Sequence, residues 1–420
     1  MIRGALLDVR PLRHSPDFRR LWIGTSLSQL GGQFTVFAVL LQVWQLTHSP
    51  AWTGAIGLAH GLPLLLLSPW GGTLADRVDR RTIVLVTSLG QLIVVALLAL
   101  QAALGAGSVG LVLGLVAVQA SFAAVGAPAR RTFVPRLLEA SLVPAGLALT
   151  HISFQTAMLL GPSLAGLVTA VWGLQVCYAV DSLTFLAAMY GVFRLPHLRP
   201  DRPDGQPHPA PWRSIADGFA FLLRTPALRG AFATDLAATV LSFPVALFPL
   251  VNEQRFGGSP RTLGLFLSVL AVGGVLALVL SGVFTRAARP GRVMLAAAAT
   301  WGLAVTAFGL VDGLVPTMLA LAVAGAADTI SVVSRGTLTQ LATPDAFRGR
   351  VSAAEGMVGA GGPDLGNVRA GLVAGLTSAS VALVSGGALC LAAVGWVAVR
   401  NRSVRDFSVP TEPDLRMSRQ

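Results

Sequence analysis

The 420-residue sequence contains no lysine, so all 31 of its basic residues are arginine. That absence removes any phosphate-binding loop of the GxxxxGKS/T type, any Schiff-base lysine and any pyridoxal-phosphate chemistry. An ATP-driven pump built on this chain alone is excluded with the first of these. Cysteine is scarce as well. Cys177 and Cys390 both lie inside long apolar runs, where they read as small core hydrophobes and offer neither a disulfide framework nor a metal site. Charge itself is thin: 12% of residues are charged, where a soluble domain carries about 25%. With 54% hydrophobic residues and a mean hydropathy of +0.70, water is not the main solvent of this chain.

What is present is a series of apolar runs. A helix needs roughly 20 such residues to cross a ~30 Å hydrocarbon layer. Runs of that kind fall at 20–46, 51–72, 82–104, 109–129, 144–170, 174–195, 227–252, 260–285, 290–312, 314–341, 350–376 and 378–399, which predicts twelve spans. The net charge of +12 follows their loops. On the side shared with the N-terminus the loops and tails hold 27 arginines, and the opposite side holds only Arg255 and Arg261. Arg335 and Arg369 fall inside spans. This asymmetry predicts both termini in the cytoplasm and makes the basic balance a topology signal, with no nucleic-acid partner implied. The first apolar run follows five arginines and lacks a small-residue cleavage pattern, so it reads as span 1 and not as a signal peptide.

Shifting the sequence by 210 residues aligns several helix-boundary signals. Ser15-Pro16-Asp17-Phe18-Arg19 meets Thr225-Pro226-Ala227-Leu228-Arg229, Ser49-Pro50 meets Ser259-Pro260, Gly54 meets Gly264, and Gly72 meets Gly282. Two six-helix halves in the same orientation are expected, residues 1–195 and 226–400, followed by a cytoplasmic tail at 401–420. Between the halves lies a linker, 196–225. It begins with a proline-rich extended stretch and ends in Trp212 to Leu223, whose apolar spacing predicts a helix along the membrane surface.

The loop after span 2 reads Gly71-Gly72-Thr73-Leu74-Ala75-Asp76-Arg77-Val78-Asp79-Arg80-Arg81. It resembles the GxLaDRxxRR signature that major facilitator superfamily transporters carry between their second and third helices. The resemblance implies an all-α membrane fold of two six-helix bundles working by alternating access. It also implies that Asp76 and Arg77 gate the cytoplasmic side, supported by Gly72, Arg80 and Arg81. The copy in the second half keeps Gly282, Arg286, Arg289 and Arg292 but has no acid, so a weaker network is expected there. The Gln42-to-Ser49 segment, the loop at Pro128-Ala129-Arg130-Arg131 and the stretch from Thr343 to Arg350 narrow the resemblance to the enterobactin exporter and drug:proton antiporter branch. Gly161-Pro162-Ser163-Leu164-Ala165-Gly166 in span 5 resembles that branch's GPxxGG signature, with Ala165 in place of one glycine. A proline kink with close helix packing and a role in enforcing exchange are both open readings of Gly161, Pro162 and Gly166. Span 4 carries Gln119 where a drug antiporter of this kind often has an arginine, which puts the usual coupling scheme in doubt.

An ionisable group at bilayer depth costs at least ~2.5–3.5 kcal/mol on insertion scales, so each one is a functional candidate. The acids are Asp181, Asp235, Asp328 and Asp364, and the bases are Arg335 and Arg369. Asp328 and Arg335 share a face of span 10, and Asp364 and Arg369 share span 11. Pro363 and four nearby glycines predict an unwound segment there. A carboxylate held by an arginine stays ionised, whereas a proton carrier must load and release a proton. Asp181 or Asp235 is therefore expected to carry the proton, with Asp328 and Asp364 pairing with the arginines. Gln29, Gln33 and Gln42 on span 1, the first two one turn apart, are expected to meet substrate or to bond a neighbouring helix. The resemblance implies proton-coupled export of a small amphipathic molecule, a siderophore or antibiotic. By the same resemblance a monomer in a bacterial inner membrane is expected, with no cofactor and no metal and only lipid and a small-molecule substrate as partners. Import by the same fold remains open, since direction depends on gradients. A membrane enzyme is disfavoured by the lack of any catalytic constellation.

Overall fold

The computed structural model describes residues 8–198 and 211–408. The proline-rich linker stretch 199–210 and the last part of the expected tail, 409–420, lie outside the described residues. Twelve long helical elements follow one another: α1 Pro16–Thr47, α2 Pro50–Ala75, α3 Arg80–Ala103, α4 Val109–Arg131, α5 Val143–Trp172 and α6 Leu174–Phe193. Then come α7 Pro226–Phe256, α8 Pro260–Val279, α9 Pro290–Leu310, α10 Leu314–Ala342, α11 Asp345–Leu376 and α12 Ala379–Arg400. No strand occurs among the described residues. Eleven of these elements are long and apolar enough to cross a membrane. The other, α11, has 32 residues, but Asp345, Arg348, Arg350, Glu355, Asp364 and Arg369 are spread along it.

The repeated Ser/Thr-Pro pairs explain the shared boundaries. Pro16, Pro50, Pro226 and Pro260 each open a helix, where the missing N–H is one the first turn could not have used. Ser15 caps α1 by accepting the Phe18 N–H at 3.1 Å, and Asp17 sits in the first turn beside the positive end of the helix dipole. Hydrocarbon is as apolar as the side chains that face it, so Leu62, Trp70 and Trp172 stay exposed without penalty.

By contacts the chain forms two compact units, Met1–Pro211 with Phe248–Ser268, and Trp212–Leu247 with Val269–Gln420. The division by sequence repeat puts Phe248–Ser268 in the second half. The segment packs in the first unit because Gly166 and Gly264 have no side chains. A Cβ at Gly166 would lie 2.5 Å from the Pro260 carbonyl oxygen, and one at Gly264 would strike that of Pro162. Inside the two units the same pairings recur. In the first, α1 packs on α5 and α6, and α3 on α4 and α6; in the second, α7 packs on α11 and α12, and α9 on α10 and α12.

Two expectations about helix continuity are corrected. First, α11 runs unbroken through Pro363. Its glycines admit a neighbour and do not unwind it: a Cβ at Gly362 would meet Thr239 Oγ1 at 2.5 Å, and one at Gly366 would strike the Thr239 carbonyl. Second, the break falls in α7, whose first segment ends at Ser242 ahead of Phe243 and Pro244. A residue before proline is pushed to extended backbone, and Phe243 sits at φ −71°, ψ 122°. Asn367 on α11 repairs the break by accepting the Ala246 N–H at 2.9 Å. The linker helix Pro211–Arg224 also packs on protein: Phe221 stacks on Phe347 at 4.5 Å, and the Asp217 carboxylate lies 3.9 Å from Arg350.

Candidate functional site

All six helices of the first unit contribute to a cavity of 760 Å³. Gln29 and Gln33 on α1, Gln91 on α3 and Gln119 on α4 face it, together with Arg130 and Arg131 at the end of α4. The Gln29 Oε1 atom is buried with no hydrogen-bond partner among the described residues. Gln42 is placed elsewhere. It exchanges hydrogen bonds with Gln101 at 2.9 and 3.0 Å and accepts one from the Tyr178 hydroxyl at 2.7 Å, which makes it an interhelical tie.

Asp181 on α6 is completely buried. Its two oxygens accept from hydroxyls, Thr35 Oγ1 at 2.6 Å and Thr184 Oγ1 at 3.2 Å, and no arginine reaches it. Gly31 makes the room: a Cβ there would lie 2.7 Å from Asp181 Oδ1. Thr35 also lines the cavity, so one hydroxyl separates this carboxyl from the cavity space.

In the second unit the expected pairings are exchanged. Arg335 on α10 pairs with Asp235 on α7 and forms a second ion pair with Glu355 on α11 at 3.5 Å. Asp328, the expected partner, has no ion pair or hydrogen bond among the described residues. The reason is axial distance. Seven residues share a helix face, but at 1.5 Å per residue they stand ~10 Å apart along the axis, beyond ion-pair reach. Asp235 is consequently the acid held by an arginine. Arg369 does not take Asp364 as the expected salt-bridge partner. It donates to the Ala382 carbonyl at 3.0 Å and to Ser385 Oγ at 3.0 Å, both on α12.

The loop between α2 and α3 differs from expectation in which residues anchor it. Gly71, and not Gly72, is the close-packed glycine: a Cβ at 71 would lie 2.7 Å from the Val125 carbonyl on α4, while one at 72 would meet nothing. The Arg80 Nε donates to the Ala75 carbonyl at 3.2 Å, and Arg81 donates to the Phe193 carbonyl while lying over the Phe193 ring. Arg77 is exposed, and Asp76 terminates α2. The acid that organises the loop is Asp79, which the signature does not single out. It caps α3 through the Arg81 N–H at 2.9 Å, accepts the Leu198 N–H at 3.2 Å, and takes a hydrogen bond from His197 Nδ1 at 2.6 Å. Burial works to raise this carboxyl, but these three donors outweigh it and hold the group below the usual carboxylate range.

In the second unit the equivalent loop does have an acid, supplied from beyond α12. Asp406 accepts from Arg292 at 2.9 Å, and that bond, with a further one from Arg405, holds its carboxyl low. Sequence reading missed both Asp79–His197 and Arg292–Asp406 because each joins segments more than 110 residues apart. The signal was present in the repeat, since both partners follow the sixth helix of their half.

In α5, Gly161 leaves space for Gln33, whose Cβ a side chain at 161 would strike. Pro162 takes one donor out of the helix, and the next N–H, of Ser163, donates to Ser268 Oγ at 3.1 Å.

A fold of twelve membrane-length helices in two similarly packed halves is that of the major facilitator superfamily. The chain belongs to this superfamily's family described as "Transmembrane secretion effector", which it matches over residues 8–418. It is thus a multi-pass membrane transporter. It is 27% identical over 361 residues to the enterobactin exporter EntS of Shigella boydii serotype 18 (strain CDC 3083-94 / BS512), covering 83% of this chain and 82% of the exporter. The EntS of Escherichia coli O81 (strain ED1a) matches to the same extent. Among solved structures, a POT family transporter in complex with 5-aminolevulinic acid superposes with a TM-score of 0.75 at 11% identity, covering 93% of this chain and 97% of that one. A bacterial homologue of the iron transporter ferroportin gives 0.69 at 17% identity, covering 93% and 99%. These structural likenesses establish the fold alone.

Proposed function

We propose that this transporter is a proton-coupled exporter of a small amphipathic molecule of the siderophore or antibiotic class. In this reading it works by alternating access in a bacterial inner membrane, as a monomer with both termini in the cytoplasm. The proton gradient is the energy source, and no cofactor takes part. The carrying observation is Asp181: a fully buried carboxyl held by two hydroxyls and no cation, one side chain away from the cavity that the glutamines face. A threonine hydroxyl donates to a carboxylate and can turn to accept from a carboxylic acid, so the site accommodates both protonation states. Asp235 is tied to Arg335, which makes Asp181 the better placed of the two expected carriers. The name of the curated relatives, enterobactin exporter, supports outward transport of a molecule of that kind. Asp76 and Arg77 keep the gating role that the loop signature implies.

The test uses inside-out vesicles with an acidified lumen and a pH-quenched dye, with siderophores and amphipathic antibiotics added in turn. The expected result is compound-dependent recovery of fluorescence with wild-type protein and its loss in Asp181→Asn. Recovery of equal size in Asp181→Asn would remove Asp181 from the mechanism. Passage of radiolabelled solute without any proton movement would overturn exchange itself.

A further inference from the structure

The cavity of the first unit has a one-sided charge. Two of its lining residues are arginines, Arg130 and Arg131, and none is an aspartate or glutamate. Arg130 donates only to neutral acceptors, Ser88 Oγ at 3.0 Å and Gln91 Oε1 at 2.8 Å, and its Nε is buried with no partner. Arg131, the next residue, is exposed and also has no ion pair among the described residues. An arginine that served only to mark a loop's side of the membrane would reach out to water as Arg131 does. Arg130 is instead half-buried, and a guanidinium drawn out of water without a counter-charge is expensive unless something supplies the missing anion. Gln29, whose Oε1 is likewise unsatisfied, faces the same space.

We infer that the cavity is built for an anion: its ligand is an amphipathic molecule whose carboxylate or other acidic oxygens meet the free edge of Arg130. The inference rests on the reading of this cavity as the substrate site and adds to it the charge of the substrate. Ser88 and Gln91 hold the guanidinium in place, so its remaining N–H groups are oriented before the ligand arrives. The glutamines supply neutral hydrogen bonds to the rest of the molecule, and 760 Å³ suits a ligand of drug size.

The test is a charge series on purified protein in a neutral detergent, by calorimetric titration with 2-naphthoate, its neutral analogue 2-naphthamide, and the cation 2-naphthylmethylamine. Wild-type protein should bind the naphthoate at least about tenfold more tightly than the amide, and the cation most weakly. Arg130→Gln should weaken naphthoate binding at least about tenfold and so remove the preference over the amide, and Arg130→Lys should keep part of it. Equal affinities across the series in wild type, or no saturable naphthoate binding, overturns the inference without need of any variant. So does a preference that survives in an Arg130→Gln protein with the wild-type melting curve. Nanodiscs separate a transported anion from a lipid headgroup. Naphthoate affinity should be the same in phosphatidylcholine with and without phosphatidylglycerol, and competition by phosphatidylglycerol that vanishes in Arg130→Gln would assign the site to lipid and overturn it. Proton movement in the vesicle assay without an anion preference removes this inference and leaves the exporter; an anion preference without proton movement does the reverse.

Discussion

The two units treat the two expected proton carriers, Asp235 and Asp181, in opposite ways. In the second, Asp235, Arg335 and Glu355 come together from α7, α10 and α11, so that the charge of the arginine is met. In the first, Asp181 has only hydroxyls around it, and Arg130 has only a serine and a glutamine. Compensated charges fix helices to one another. Uncompensated ones cost stability and persist where a proton or a ligand completes them, so Asp181 and Arg130, at the cavity, are the first places to look for chemistry; Asp328 and Arg369 in the second unit also lack an ion pair among the described residues but do not line that cavity.

The largest expected effect separates the two arginines. Arg335→Gln leaves a buried Asp235 and a half-buried Glu355 without their cation and should cost about 3–5 kcal/mol, read as a large drop in the melting temperature of detergent-solubilised protein. Adding Asp235→Asn to that variant should recover part of the loss. Arg130→Gln gives up hydrogen bonds to Ser88 and Gln91 but relieves an unmatched charge, and should change stability by no more than about 1 kcal/mol. Equal destabilisation by the two substitutions would erase the distinction between the units. The same contrast should hold for the acids: Asp181→Asn should melt within about 1 kcal/mol of wild type while abolishing proton coupling.

A smaller effect concerns backbone approach. Gly71→Val puts a side chain against the Ala124 and Val125 carbonyls of α4 and should cost about 1–3 kcal/mol, whereas Gly72→Val, one residue on, enters open space and should stay within about 0.5 kcal/mol of wild type. Thermal melts of the two variants side by side decide it. This pair also shows where sequence reading stops. The twelve helices, their order and the twofold repeat were legible, because apolar length and Ser/Thr-Pro caps are local signals. Which of two adjacent glycines touches a neighbour depends on helix rotation, which no local pattern states. Likewise, Asp328 and Arg335 share a face, yet partner choice is decided by α7 and α11, whose positions beside α10 no pattern within α10 states. The acids themselves were identifiable as candidates by depth alone; their partners became visible only in three dimensions.

The smallest effects lie at the two clasps that follow α6 and α12. They use opposite polarity: in the first the acid, Asp79, sits on the loop before α3, and in the second the acid, Asp406, sits on the tail. Asp79 also caps a helix and is partly enclosed, so Asp79→Ala should cost about 1 kcal/mol. Its carboxyl is held below the ordinary value of about 3.9, so the folded form is favoured by its ionisation. That contribution is complete above the ordinary value and is lost as the pH falls through the lower, folded one. Melting temperatures measured from neutral pH downward should therefore show an acid limb in wild type that flattens in Asp79→Asn. Asp406 is exposed, and water and salt screen its pair with Arg292, so Asp406→Ala should leave the melting curve unchanged. An acid limb that disappears in the Asp406 variant and persists in the Asp79 variant would reverse the assignment. The polarity of the clasp would then matter more than its enclosure.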